Sequence, residues 1–312
     1  MSGLVTFGET PLRLSPPDDE RIEMATRFRL ETSGTESNVA ITASRLGTTS
    51  AWVSRLPESP LGRRVVAEVR RHGVETDIEW TDEGRQGLVF HESGSELRAD
   101  RAVHDRDDAT AGAATPESLA LDRFRAADVA FVAGSTVALS KTAAETATAV
   151  LEAATDGGAL TAMDVDHQPG LWNPDANAER LQRAFAAVDV LFANEREFET
   201  VLGRSGKPRE QVHTVASKGD FEMVVMTRSE YGAIVWHDNV VHERDSVPTA
   251  DVDASGQHAA FVGGFLDRLA GGADADEALS HGVATAALAR TIPGTAAAVE
   301  PDEVERVLAR ME

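Results

Sequence analysis

The chain has no cysteine, only three lysines and one tyrosine, and no long apolar run. Without cysteine, disulfides, thiolate metal sites and cysteine nucleophiles are excluded. No stretch approaches the roughly 18 unbroken apolar residues of a membrane helix. The opening MSGLVTFGET enters a strand pattern without a basic or apolar leader. A soluble cytoplasmic protein with no membrane partner is the expectation. Positive charge is scarce: 30 basic residues against 52 acidic ones leave a net charge of −22. The acid is spread along the chain, so nucleic acid is not an expected partner. Lys141, Lys207 and Lys218 are the only lysines, and the other basic residues are arginine. Dispersed acid with little lysine suits concentrated salt, where screening removes self-repulsion. The reading is a halophilic protein, with an ordinary acidic protein from a GC-rich genome as the alternative.

What is present is a core. Of the 312 residues, 42% are hydrophobic, enough for one large domain. Apolar runs at 4–7, 128–134, 159–165, 189–194 and 222–227 alternate with amphipathic stretches at 36–46, 60–72, 140–155, 176–187 and 195–202. This alternation predicts a parallel sheet covered by helices on both faces, with ligands at the carboxyl ends of the strands. Segments 12–32 and 76–104 break the rhythm with RFRLET, VETDIEW, GLVFHE and ELRADRAVHD. They predict a small antiparallel sheet that covers a substrate and pairs with a second copy of the chain. The region after about 255 reads as helical, with Ala-rich stretches at 274–290 and 301–311. No repeat or linker divides the chain, so residues 1–312 are expected to form a single domain.

One stretch suggests chemistry directly. VDASGQHAAFVGGFL at 252–266 is a turn of small residues, then Gly256, then an apolar helix. Free N–H groups and the dipole at such a helix start favour a phosphate. A Rossmann dehydrogenase would instead need GxGxxG after the first strand, where FGETPL stands.

Several motifs in order resemble the ribokinase-like (PfkB) sugar kinases, and within them the 2-keto-3-deoxygluconate kinases. These are FGETPLRLSP at 7–16, SGTESNVAITASRLG at 33–47, RLPESPLGRRV at 55–65, GSTVALS at 134–140, MDVDHQPGLW at 163–172, NERE at 194–197, MTRSEYGA at 226–233 and the 252–266 segment. The resemblance implies an α/β three-layer sandwich with a central, mostly parallel sheet and a small β-sheet lid, working as a homodimer through the lid. It implies transfer of the γ-phosphate of ATP, with Mg2+, to a hydroxyl of a sugar or keto-deoxy sugar acid.

The same resemblance assigns residues. Glu9, Gly34, Thr35, Asn38, Arg101, Arg106, Asp166 and Gln168 fall on the substrate side. A turn at Gly34 and Thr35 can approach a sugar closely, although Thr35 or Thr32 capping an ordinary helix start is the alternative. Arg101 and Arg106 stand where basic residues hold the substrate carboxylate; a surface ion pair is the alternative for each. Asp164, Leu171 and Trp172 match their motif, while Asp166 replaces an asparagine and Gln168 an arginine. A neutral Gln168 cannot offset the charge of a sugar acid. Asn194, Thr227, Gly232, Asp253 and Gly256 fall on the nucleotide side, and Glu197 acts on Mg2+ through water. A capping box between Asn194 and Glu197 is compatible with that role.

Against the family's GAGD stands GQHA, namely Gly256, Gln257, His258 and Ala259. In the family that aspartate takes the proton of the attacking hydroxyl while backbone N–H groups stabilise the developing charge. Ala259 has nothing to accept a proton. Three accounts stay open: a kinase whose natural base was exchanged for alanine, a natural pseudokinase that binds nucleotide or sugar without catalysis, or a variant site using His258 or Asp253. Against the last, a side chain one residue early points about 100° around the helix from the expected base.

Overall fold

In the computed structural model, which describes residues 3–17, 20–94 and 97–311, the apolar runs become strands. In chain order they are β1 (Leu4–Phe7), β2 (Leu12–Ser15), β3 (Arg29–Thr32), β4 (Ser50–Pro57), β5 (Glu75–Thr81), β6 (Leu88–Glu92) and β7 (Arg101–Asp105). Then follow β8 (Val129–Ala133), β9 (Leu160–Asp164), β10 (Val190–Asn194), β11 (Met223–Thr227), β12 (Ala233–His237) and β13 (Val240–Arg244). A nine-stranded sheet has the order β13-β12-β11-β10-β9-β8-β1-β4-β5. Its pairings from β11 through β5 are parallel, and β12 and β13 close one edge as antiparallel strands.

Successive residues of a strand face opposite sides, so each buried parallel strand feeds two cores. Val5, Val132, Met163, Leu191 and Val224 face one core. Leu4, Phe131, Ala162, Phe192 and Val225 face the other. On the second side lie helices Thr35–Leu46, Gln257–Ala270 and Ala275–Ala289. Phe192 meets Phe265 edge-on at 5.3 Å between ring centroids, and removing such a ring costs about 3–5 kcal/mol. The glycine pair of the central helix sets its depth: a Cβ on Gly263 would lie 2.5 Å from Thr42, and one on Gly264 would lie 2.5 Å from Thr285. Neighbouring helices therefore press against both sides of Gln257–Ala270 and fix its N-terminus above the strand ends.

The second sheet has four strands in the order β3-β2-β6-β7. It holds the expected RFRLET, GLVFHE and ELRADRAVHD strands, but it is mixed and not antiparallel throughout, because its two inner strands β2 and β6, far apart in the chain, pair in parallel. VETDIEW differs: β5 pairs in parallel with β4 over seven positions and belongs to the edge of the large sheet. An edge strand is wet on one side and alternates like a strand of a small sheet, so periodicity alone misplaces it. Positions 18, 19, 95 and 96 of the two lid segments lie outside the described residues, as do 1, 2 and 312. No helix among the described residues is long and apolar enough to cross a membrane.

Candidate active site

Parallel strands end on one side of the sheet, and the expected site residues cluster there. Glu9 follows β1, Asp164 ends β9 and Asp166 follows it, Asn194 ends β10, and Thr227 ends β11. Above them starts the helix Gln257–Ala270, capped by Gly256. In its first turn the Gln257 N–H donates to the Ala254 carbonyl at 3.1 Å and the Ala260 N–H to the Gly256 carbonyl at 3.0 Å. The N–H groups of His258 and Ala259 lie in the turn that no helical carbonyl satisfies.

Two cavities of about 630 Å³ meet at this helix start. The first is lined by Asn194, Arg196, Thr227, Gly232, Gln257 and His258, with apolar walls from Phe261, Val283 and Ala286. Its polar floor and apolar walls suit a nucleotide. The second lies under the four-stranded sheet, between Arg13, His91 and His104 on one side and His167, Gln168, Asp253 and Ser255 on the other. Ala254 lines both cavities.

The polar centre of the first cavity is an ion pair. His258 Nε2 lies 2.8 Å from Asp164 Oδ2, and Nδ1 lies 3.3 Å from Thr227 Oγ1. The Asp164 side chain is fully buried, whereas that of His258 is 34% exposed. Burial alone would lower the imidazole pKa, but Asp164, Glu197 and Asp166 outweigh it and hold it up at about 9. At neutral pH His258 is an imidazolium. Burial pushes the Asp164 carboxyl up, and the imidazolium pulls it back.

Glu197 is turned inward. Its Oε2 accepts the Asn194 N–H at 2.8 Å and its Oε1 the His167 N–H at 2.6 Å, while Asn194 Oδ1 accepts the Glu197 N–H at 3.0 Å. This is a complete capping box. Burial, then Asp164, raises the Glu197 carboxyl to about 7. The donor set does not fit a resident divalent cation. One Asp164 oxygen is taken by His258, both Glu197 oxygens are taken by amides, and an imidazolium adjoins the carboxylates. No group of three or more metal-binding side chains occurs among the described residues.

On the substrate side a chain of polar contacts runs through five predicted residues. Arg106 Nε donates to Glu9 Oε2 at 2.6 Å and its Nη1 to Gln168 Oε1 at 3.0 Å. Gln168 Nε2 donates to Asp166 Oδ1 at 3.2 Å, and Thr35 Oγ1 donates to Asp166 Oδ2 at 2.8 Å. Glu9 and Arg106 are both buried, so the Arg106 charge is neutralised within the fold. Gly34 lies so close to the strand end that a Cβ would sit 2.5 Å from the Glu9 carbonyl oxygen. Asn38 Nδ2 donates to the Thr295 carbonyl at 3.0 Å, while its buried Oδ1 has no partner among the described residues.

Arg101 stands apart. It is exposed on β7, pairs with Glu23 at 3.2 Å and lines neither cavity. Asp253 faces the cavity under the small sheet, where its oxygens accept the Ser255 and Gly294 N–H groups at 2.9 and 3.0 Å. Those bonds hold its carboxyl below the usual range although burial opposes them. Ala259 is buried. Two residues without a sequence assignment matter here. Asp164 matched a motif but had no role, and its partner is 94 residues away. Arg13 is buried within β2, lies 2.7 Å from His91 Nδ1 and lines the cavity under the small sheet. The LRLS alternation gives no hint that this charge points inward.

Comparisons with known proteins agree with this architecture. Residues 1–302 match the pfkB family carbohydrate kinase description. The chain is 47% identical over 305 residues to a 2-dehydro-3-deoxygalactonokinase from Haloferax volcanii, covering 98% of this chain and 96% of that protein. A 2-dehydro-3-deoxygluconokinase structure from Thermotoga maritima is similar at a TM-score of 0.92 and 27% identity, covering 99% and 100% of the two chains. A fructokinase with bound ATP from Xylella fastidiosa shares the fold at a TM-score of 0.87 and 21% identity, covering 99% of each.

Proposed function

The chain belongs to the pfkB family of carbohydrate kinases, and from that premise we propose that it binds ATP and a 2-keto-3-deoxy sugar acid but lacks the base for efficient phosphoryl transfer. By sequence it stands close to the 2-dehydro-3-deoxy-sugar kinases. ATP takes the cavity at Asn194, Thr227 and His258, with its phosphates at the start of the helix Gln257–Ala270. The sugar acid takes the cavity under the small sheet. There Arg13, not the Glu9-bound Arg106, is the arginine that offers its charge to a carboxylate. A second copy of the chain pairs on the small sheet, where Val103 of β7 is exposed.

The observation that supports this reading is that position 259, in the first turn of the helix Gln257–Ala270, is a buried alanine with no group that can accept a proton. Its neighbour His258 lines only the nucleotide cavity and is already protonated, so it cannot collect the proton of a sugar hydroxyl. Asp253 is held by two amides. Loss of a general base costs roughly 10²- to 10⁴-fold in rate. The backbone N–H groups remain to hold phosphate, which favours retained binding.

Calorimetry with ATP and with 2-keto-3-deoxygluconate in concentrated salt, beside a product assay on the same sample, tests this. Binding of both ligands without phosphorylated product is expected. Failure to bind ATP, or phosphorylation at a rate ordinary for a sugar kinase, overturns it.

A further inference from the structure

We propose that the His258 side chain, tethered to Asp164 at the floor of the nucleotide cavity, takes the place of the divalent cation, so that this chain binds ATP without Mg2+. The inference rests on the nucleotide site proposed above and concerns its charge balance. A triphosphate is strongly anionic, and behind the cavity wall Asp164, Asp166 and Glu197 are close enough to act on His258. Some cation must stand between these groups and the phosphates.

The geometry supplies one from the chain itself. His258 sits in the first turn of the helix Gln257–Ala270, beside the N–H groups that cradle phosphate. Its ring spans the ends of two parallel strands, with Asp164 of β9 at 2.8 Å on one nitrogen and Thr227 of β11 at 3.3 Å on the other. One-third of the side chain stays open to the cavity, whereas its carboxylate partner is sealed beneath it. Arg196 and Arg290 line the same cavity and add positive charge, opposed by Glu195 and Glu199 in the lining and by Asp251 beside Arg290.

A Mg2+ ion has no comparable seat. The Glu197 carboxylate is closed by the amides of Asn194 and His167 and does not line the cavity. The remaining Asp164 oxygen, Oδ1, is buried and has no partner among the described residues. To reach it, a hydrated dication would have to pass the imidazolium. Like charges at such a distance repel strongly in a partly dry site, and Mg2+ gives up its waters reluctantly.

The test is calorimetric titration of the full chain with ATP at neutral pH in concentrated salt, once with Mg2+ and once with EDTA. The two dissociation constants are expected to agree within about threefold. His258→Gln is expected to weaken binding in EDTA by roughly 10- to 100-fold, the range of a charge-assisted hydrogen bond. Added Mg2+ should restore part of that loss. If the unaltered chain binds ATP only with Mg2+, the substitution of cation by histidine is overturned while the nucleotide site stands. If it binds in neither buffer, both fall. The comparison on the unaltered chain decides the matter even if His258→Gln folds poorly.

Discussion

His258 Nε2 and Asp164 Oδ2 lie 2.8 Å apart although 94 residues separate them in sequence. The contact joins the first turn of a helix to the end of a parallel strand and places a positive charge at the start of the helix Gln257–Ala270. The folded-state pKa of His258, about 9, is above its ordinary value of 6.5. Its stabilising contribution is therefore complete below 6.5 and lost as pH rises through about 9.

Thermal unfolding from about pH 6 to about pH 10 tests this charge. His258 faces Asp164, Glu197 and Asp166; Arg196 lines the same cavity. Glu197 titrates near 7 in the folded state, and because the His258 charge lowers its carboxyl it also contributes to the difference near that pH. The informative quantity is the difference between the chain and His258→Gln. That difference should shrink as pH passes about 9. A constant difference would show that the imidazole is neutral throughout.

Glu36 has a dependence of the same sign in a lower pH window. Its buried carboxyl accepts the Thr136 hydroxyl at 2.6 Å and the Ala133 N–H at 3.1 Å, and burial raises it from 4.5 to about 8. Between those values the folded chain keeps a proton that the unfolded chain has lost, so stability falls as pH rises through that window. Glu36→Gln should show a shallower decline and a higher melting temperature above pH 8. An unchanged profile would contradict a protonated Glu36.

The Glu9–Arg106 pair is closed off from solvent. Glu9→Ala should cost about 3–5 kcal/mol, because it leaves a buried guanidinium without its counter-charge. Pairing Glu9→Leu with Arg106→Met should recover most of that loss. Chemical denaturation of the three proteins checks this. Equal losses in the single and double variants would mean that packing, not charge, sets the cost.

The alternation of strand and helix was legible because each parallel strand is buried on both faces and reads as a continuous apolar run. β5 was not, because an edge strand and a small-sheet strand share the same period. At Asn194 and Glu197 the capping box was readable in four letters, since its partners are three residues apart. The Arg106–Gln168–Asp166–Thr35 contacts and the His258–Asp164 pair depend on strands brought together by the sheet order. No local pattern encodes them. Arg101 and Arg106 looked alike in sequence, yet one ends on a solvent-facing edge and the other under Glu9.

If Ala259 is what withholds the base, a carboxylate restored at that position should restore turnover. A coupled kinase assay with 2-keto-3-deoxygluconate and ATP in concentrated salt, run on the chain and on Ala259→Asp, tests it most directly. Ala259→Asp is expected to gain roughly 10²- to 10⁴-fold in turnover, while the affinity for ATP changes little. Rapid turnover by the unaltered chain, or no gain in Ala259→Asp despite intact ATP binding, would contradict it.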